Sequence, residues 1–330
     1  MKPFHYSKAA NSGAAVAEVS AEPGARYLAG GTNLLDLLKY NIIQADRVVD
    51  LKRLDLKEIR RHEGGLRLGA MAHNSDTANH PEVRQQFPLL SQAILAGASA
   101  QIRNMATNGG NLLQRTRCPY FYDNALPCNK RVNGSGCGAR HGSNRMHALF
   151  GWSEKCVATH PSDMCVALAA LDAQIHTDNR TIAFEDFHRL PGDNPGQDTN
   201  LKHGELIEWI FVPQNNFAKH SCYLKVRDRA SYAFALVSVA AALELEGKVI
   251  KDVRLALGGV AHKPWRARKA EALLRGQQPS EANFLAAAAA ELGDAKPLEH
   301  NAYKVPMARN AIVVALQSAL SGEHPLEGLS

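Results

Sequence analysis

The stretch "ARYLAGGTNLLDLLKYN", residues 25–41, carries the clearest local pattern in the chain. ARYLAGG is typical of a short strand that runs into a glycine turn. Thr32 then offers a helix cap, and apolar residues follow at helical spacing at positions 34, 35, 37 and 38. Glycine lets the backbone approach a ligand and turn its N–H groups inward, and such groups bind phosphate oxygens. The stretch therefore predicts a strand, a ligand-binding turn and a helix.

A second glycine pair, NGGNLL at Asn108–Leu113, repeats this pattern. Thr32, Asn33, Thr107 and Asn111 supply side-chain donors beside the two pairs. Two such loops on one pyrophosphate would suit a dinucleotide, whereas two ordinary turns would leave the same pattern. The segment Gly134–Ala139 matches G-x-G-x-x-A, but no predicted strand precedes it, so it is rejected as a dinucleotide fingerprint.

Composition and charge exclude several classes of protein. The 330 residues are 45% hydrophobic and 21% charged, as in soluble globular proteins. No apolar run approaches the ~18 residues that span a bilayer, and the N-terminus lacks the apolar segment of a secretory signal. The net charge of +6 is matched by residues 101–147, which hold seven basic residues and one acid. This local charge indicates either a solvated loop or compensation for a bound anionic group.

Short elements of both kinds flank a long irregular segment. RVVDL is a predicted strand, KEIRRHEGGLRLGAM a hairpin, and Leu89–Ala100 a helix. Residues 113–156 show no sustained period, and loops of that length are normally functional or disordered. Beyond them we predict a helix at DMCVALAALDA, strands at AQIHTD, RTIAFEDF and ELIEWIFVP, and a strand at CYLKV. The Ala-rich segment after it is predicted as a helix or a strand, and the tail as helical.

Four cysteines lie on or beside this irregular segment, at Cys118, Cys128, Cys137 and Cys156. Their C-x9-C-x8-C-x18-C spacing matches neither the paired spacing of structural zinc nor that of bacterial ferredoxins. A metal or cluster, disulfides and unrelated thiols all stay open on spacing alone. Cys165 and Cys222 are expected in the core, and His141 and His147 are further candidate ligands. No Ser-His-Asp, G-x-S-x-G or H-E-x-x-H arrangement is present, so no catalytic residue is assigned.

Together, AGGTNLLDLLK, TNGGNLL, HPSDM and YLKVRDRASYAFALVSVAAALE resemble the FAD-binding medium subunits of molybdenum hydroxylases, the xanthine dehydrogenase and carbon monoxide dehydrogenase family. RTRCPYFYD, PCNKR and GSGC resemble more narrowly the flavin subunits of bacterial periplasmic aldehyde oxidases, which carry an extra [4Fe-4S] cluster on an inserted loop. The resemblance extends over essentially the whole chain.

The resemblance implies an α+β fold of the vanillyl-alcohol oxidase type. Two α+β subdomains, 1–55 and 56–217, would hold an extended FAD, with the cysteine-rich loop at 113–157. A C-terminal domain, 218–330, would have a three-stranded antiparallel sheet and helices. The implied cluster ligands are Cys118, Cys128, Cys137 and Cys156. The implied FAD-binding residues are Arg26, Tyr27, Leu28, Ala29, Gly30, Gly31, Thr32, Asn33 and Leu34 in the first loop, Thr107, Asn108, Gly110 and Asn111 in the second, and Asp163 and Lys225 near the flavin ring.

The implied activity is that of an oxidoreductase subunit that transfers electrons and does not itself oxidise substrate. A molybdenum-cofactor subunit would oxidise an aldehyde to a carboxylic acid, with water as the oxygen source. A third subunit with [2Fe-2S] clusters would pass the electrons to FAD on this chain, and the reduced FAD would pass them to an external acceptor. This heterotrimer would reach the periplasm through a partner's twin-arginine signal, the alternative being the cytoplasm. Two other hypotheses are the flavin subunit of a hydroxybenzoyl-CoA-reductase-like enzyme and a non-redox scaffold stapled by zinc.

Overall fold

Three β-sheets organise residues 1–322, which are the residues that this computed structural model describes. The first sheet is parallel, in the order β1-β3-β2. Its strands are β1 (His5–Lys8), β2 (Ala25–Leu28) and β3 (Arg47–Asp50), and its helices are α1 (Ser12–Ser20) and α2 (Leu34–Lys39).

The second sheet has five antiparallel strands in the order β4-β5-β8-β6-β7. They are β4 (Ile59–His62), β5 (Gly65–Gly69), β6 (Gln174–Thr177), β7 (Thr181–Ala183) and β8 (Ile207–Pro213). The helices of this part are α3 (Asn74–Asn79), α4 (Pro81–Gln86), α5 (Pro88–Ala96), α6 (Ala100–Arg103), α7 (Asn108–Leu112), α8 (Pro119–Tyr122), α9 (Gly138–His141), α10 (Asp163–Ala170) and α11 (Phe184–Phe187).

The third sheet is antiparallel and joins two cores. Its long strands are β9 (Ser221–Val226), β10 (Val237–Glu246) and β11 (Val249–Gly258), with the two-residue β12 (Trp265–Arg266) at one edge. Helices α12 (Arg268–Leu274), α13 (Glu281–Leu292) and α14 (Lys304–Ser321) follow. Ala240 and Ala242 of β10 pack with the core of the second sheet, while Val239 and Leu243 pack in the core shared with α13 and α14. Both faces of the third sheet are therefore buried.

Most of the sequence-based predictions of local structure are confirmed. The hairpin, the strands at 47–50 and 207–213 and the helix at 163–170 form as expected. Thr32 is not the cap of α2, because the helix begins one residue later with Asn33 at that position. The helix predicted at Leu89–Ala100 ends at Ala96, and a separate turn of helix follows. No helix among the described residues is long and apolar enough to cross a membrane.

Residues 113–157 form an ordered loop around two single-turn helices, α8 and α9. Phe121 at the start of this loop is fully buried and packs in one cluster with Leu37 and Ile42 of the α2 region and with Cys128. The loop is thus anchored on the same segment that carries the first glycine pair.

Candidate cofactor sites

The first glycine loop links β2 to α2 and lies directly against the backbone that follows α6. A Cβ at Gly30 would overlap the carbonyl oxygen of Met105, and Gly31 has a φ of +77°, which L side chains rarely adopt. Among the described residues, none accepts a hydrogen bond from the amides of Gly30, Gly31 or Thr32. This loop therefore presents free N–H donors while its glycines permit the close approach of a second chain segment.

The second glycine pair begins the short helix α7. The Thr107 hydroxyl accepts a hydrogen bond from the amide of Gly110 at 3.2 Å and caps the helix. A Cβ at Gly109 would meet Ala70 at 3.2 Å, whereas a Cβ at Gly110 would meet only the Thr107 hydroxyl. The contact at Gly110 is 3.0 Å, so neither glycine of this pair has open space for a side chain.

An elongated groove runs between the two loops and consists of two adjoining chambers. The first chamber, about 370 Å³, is lined by residues of both glycine loops and by Arg115 and Leu206. The second chamber, about 470 Å³, extends to Asp163, Lys225 and the segment 228–234. Thr32, Asn33 and Gly110 line both chambers, so the free amides lie near their junction. An extended dinucleotide with its pyrophosphate at the junction suits this shape and donor set.

The predicted residues fall on this groove with two exceptions. Arg26, Tyr27, Ala29 and Leu34 line the first chamber with the glycine residues and Thr107, while Asn111, Asp163 and Lys225 line the second. Leu28 instead packs in a core cluster with Leu38 and Val48. Asn108 is fully buried, and its side chain is bonded to Asn74, Thr77 and the carbonyl of Gly69. The structure places both of these side chains behind the groove wall.

A buried ion pair forms the floor of the second chamber. The Lys225 ammonium donates to Asp163 at 2.8 Å and to the carbonyl of Ala96 at 3.1 Å. Asp163 also accepts a hydrogen bond from the Tyr223 hydroxyl at 2.7 Å. Burial, followed by the charge of Asp163, raises the pKa of Tyr223 well above its usual value, so the hydroxyl remains a donor. Sequence reasoning missed Tyr223, because a tyrosine within a strand is ordinarily core.

Helix α10 is held in place by a residue of the second glycine loop. Ser162 caps the helix by accepting a hydrogen bond from the amide of Cys165 at 3.0 Å. Its hydroxyl lies 2.6 Å from the side-chain oxygen of Asn111. The Asp163 carboxylate is consequently fixed relative to the glycine loop that precedes it by some 50 residues.

The four predicted cluster cysteines line one small cavity: Cys118, Cys128, Cys137 and Cys156. Cys128 and Cys137 face each other across an isolated antiparallel bridge, closed by a 2.7 Å bond from the amide of Asn129 to the carbonyl of Gly136. All six cysteines of the chain are free thiols in this structure. Cys165 and Cys222 are buried in separate cores, as expected from the sequence.

Burial shapes the chemistry of these thiols. It raises the pKa of Cys118 to about 12 and the pKa of Cys156 to about 11. At Cys156 the positive charge of Lys130 offsets part of this rise. As free thiols, Cys118 and Cys156 are therefore protonated at neutral pH. Thiolates would need a compensating cation, and a bound metal or metal cluster supplies one.

Most of the basic side chains of residues 101–147 are paired within the fold. Five of its seven basic side chains form ion pairs with acids from other segments: Arg115 and Lys130 with Asp198, Arg117 with Asp36, Arg140 with Glu154 and Arg145 with Asp228. Arg103 and Arg131 donate to backbone carbonyls. Four acids therefore balance four of these seven positive charges, and the fold itself pairs most of the local surplus.

The groove and its two glycine loops are those of a dinucleotide-binding protein, and comparison with known proteins gives the family. Residues 2–215 match the FAD binding domain in molybdopterin dehydrogenase, and residues 222–319 match the CO dehydrogenase flavoprotein C-terminal domain. The chain belongs to the FAD-binding medium subunits of the molybdenum hydroxylases, which are parts of oxidoreductase complexes. The predicted α+β FAD-binding fold with a C-terminal antiparallel sheet is confirmed.

Individual relatives agree with this assignment. The chain is 47% identical over 326 residues to the aldehyde oxidoreductase FAD-binding subunit PaoB of Escherichia coli K12, with 97% of this chain and 99% of that protein covered. It is 30% identical to the glyceraldehyde dehydrogenase medium chain of Sulfolobus acidocaldarius, covering 81% and 79%. The carbon monoxide dehydrogenase structure from Hydrogenophaga pseudoflava superposes with a TM-score of 0.76 at 25% identity, covering 98% and 99%.

Proposed function

We propose that this chain is the electron-transfer flavoprotein subunit of a molybdenum-dependent aldehyde oxidase complex. The observation that carries the proposal is the 47% identity, over nearly the whole of both chains, with an aldehyde oxidoreductase FAD-binding subunit. Overall, an aldehyde and water give a carboxylic acid with the release of two electrons and two protons. The oxidation itself belongs to a molybdenum-cofactor partner, and a [2Fe-2S] subunit completes the heterotrimer.

The residues of this chain would bind and orient the flavin. The amides of Gly30, Gly31 and Thr32 make no hydrogen bond within the described residues and would hold the pyrophosphate, with Gly110 lining the groove beside them. The fixed Asp163–Lys225 pair would set the polarity of the floor beneath the ring system. Bound FAD supplies exchange of one or two electrons, which links iron–sulfur partners to an external acceptor.

We further propose that Cys118, Cys128, Cys137 and Cys156 hold a [4Fe-4S] cluster. Four sulfur ligands around one cavity suit either a single zinc or a cluster. A tetrahedral zinc with Zn–S bonds of ~2.3 Å needs sulfurs about 3.8 Å apart. No three of these four cysteine sulfurs lie within 4.8 Å of one another. Among the described residues, the group of ligands that meets this limit is His160, Cys165 and His188. The wider spacing favours the larger cluster.

The domain division and the location are part of the same proposal. Subdomain 1–55 contains the first sheet, 56–217 the second sheet with the cysteine loop, and 218–330 the third sheet. We propose a periplasmic complex exported through a partner's twin-arginine signal. Fractionation of cells that express all three subunits tests this location, and activity confined to the cytoplasm would contradict it.

The decisive experiment is cofactor analysis of the co-expressed complex together with two activity assays. We expect one FAD and about four irons with matching sulfide on this subunit, and oxidation of aldehydes. Reduction of an aromatic thioester without aldehyde oxidation would instead indicate the hydroxybenzoyl-CoA-reductase-like alternative. Stoichiometric zinc, with no iron beyond that of the partner's [2Fe-2S] clusters, would contradict the cluster. Cys128→Ser should lose iron, whereas Cys165→Ala, a buried cysteine away from the cavity, should keep it.

A further inference from the structure

His147 makes a direct contact with one of the four cysteines. Its Nε2 atom lies 3.1 Å from the sulfur of Cys118. The ring is almost fully buried, and its other nitrogen, Nδ1, has no hydrogen-bond partner in the described part of the chain. A thiolate sulfur offers only lone pairs, so beside a metal-bound Cys118 this contact is favourable when the proton is on Nε2. His147 would then donate an N–H···S hydrogen bond.

The C-terminal helix region fixes His147 from the opposite side. The carbonyl of His147 accepts hydrogen bonds from the Lys304 ammonium at 2.9 Å and from the Asn301 side chain at 3.1 Å. Both donors are fully buried. The backbone at His147 is thus held by buried donors from the region of α14, independently of Cys118.

The same contact lines a small cavity that adjoins the second chamber of the groove. Cys118 and His147 line a cavity of about 120 Å³ whose wall also includes Asp163 and Phe234. Those two residues line the second chamber as well. Of the four cysteines, Cys118 is the one that borders this cavity. His147 therefore lies at the side of the cysteine site that borders a cavity shared in part with the second chamber.

We propose that His147 is a positioning residue that donates a hydrogen bond to the Cys118 thiolate and raises the reduction potential of the cluster. The inference rests on the proposed [4Fe-4S] cluster. Reduction adds negative charge that spreads onto the ligand sulfurs, and a donor to one sulfur stabilises the reduced state more than the oxidised state. Loss of the donor should lower the potential.

The test is an EPR-monitored redox titration of the purified complex with iron counted in every sample. His147→Leu removes the donor, and a hydrogen bond of typical net strength predicts about a three- to tenfold change in the reduction equilibrium constant. For a one-electron couple this is a downward shift of about 30 to 60 mV. His147→Gln retains an N–H donor and should recover part of the shift. His141→Leu, an exposed histidine of the same loop, should leave the potential unchanged.

The outcomes separate this inference from the cluster proposal. A wild-type complex whose iron is fully accounted for by the partner's [2Fe-2S] clusters would contradict the cluster itself. A wild-type complex with iron and a His147→Leu complex with full iron and an unchanged potential would overturn the role of His147 alone. Should His147→Leu fail to fold, His147→Gln is measured instead, and its weaker donor should lower the potential by less than the shift expected for leucine. An upward shift of the potential, in a cluster whose EPR g-values are unchanged, would contradict the inference.

Discussion

Replacing Lys225 with methionine removes one partner of a buried ion pair that joins β9 of the third sheet to α10. The Lys225 and Asp163 side chains are 3% and 8% exposed and lie 2.8 Å apart. Removing one partner of such a pair typically costs about 3 to 5 kcal/mol, because the other charge stays buried. Asp163 would keep its 2.7 Å bond from Tyr223, so we expect about 3 kcal/mol.

This loss should appear as a lower melting temperature. An unfolding entropy of ~2.1 cal/mol/K per residue over 330 residues is about 0.7 kcal/mol/K, so a loss of about 3 kcal/mol lowers Tm by about 4 °C. The measurement is a thermal scan at fixed, saturating FAD, since bound ligand itself stabilises the folded state. Lys251→Met is the matched control, because Lys251 and Glu244 form an exposed pair at 2.7 Å in the same sheet.

A double-mutant cycle decides whether the ion pair is the cause. If it is, Asp163→Asn combined with Lys225→Met should cost less than the sum of the two single variants, by more than 1 kcal/mol. Additive costs, or a Lys225→Met variant whose Tm differs from that of the wild type by less than about 1 °C, would refute the reasoning.

Two further predictions concern pH and the first glycine loop. Burial lowers the pKa of His188 and of His262 from 6.5 to about 4, so both stay neutral when folded while the unfolded chain takes up protons below pH 6.5. Stability therefore falls as pH drops, by about 2 kcal/mol between pH 6 and 5 for the two together, and denaturant unfolding that is flat from pH 7 to 5 would contradict this. Gly30→Ala should lower both Tm and retained FAD, because its methyl group collides with the facing backbone carbonyl. Gly13→Ala, in the open helix α1, should be neutral or slightly stabilising, and equal losses in both variants would show that the loop is not constrained as described.

Local patterns predicted the turns and strands that depend on neighbouring residues. The glycine loops, the hairpin at 59–69 and the strand at 207–213 are of this kind. The reason for glycine at position 30 lies elsewhere, in the carbonyl of Met105 some 75 residues away. A sequence pattern shows that glycine is present but not which distant backbone requires it.

The Ala-rich segment at 237–246 shows a second limit of sequence reasoning. It was predicted as a helix or a strand, and it is the strand β10. Both of its faces are buried, so the alternation of polar and apolar residues that marks a half-exposed strand is absent. The remaining signal is one of size, and it is incomplete. Ala240 and Ala242 face the second-sheet core, while Val239, Leu243 and also Ala241 face α13 and α14.

The pairing of the basic residues in the cysteine loop also could not be predicted without the tertiary fold. The basic surplus is evident in the sequence, but its partners, such as Asp36, Asp198 and Asp228, are distant in the chain. A local count of charge could not distinguish a loop that awaits an anionic ligand from one that is already paired. Only the fold shows that most of this charge is used in attaching the loop.

That attachment couples the two candidate cofactor sites through a residue predicted only as a flavin ligand. The Asn33 side chain accepts a hydrogen bond from the amide of Arg115 at 2.8 Å and donates to the Tyr122 hydroxyl at 3.3 Å. Both partners belong to the cysteine loop, and Asn33 lines both chambers of the groove. A change in the cysteine loop would therefore reach the FAD groove through Asn33 without any transfer of electrons. Loss of flavin in a cysteine variant would establish this structural coupling, and the role of the cluster as a relay has to be judged from its potential and kinetics in complexes that retain both cofactors.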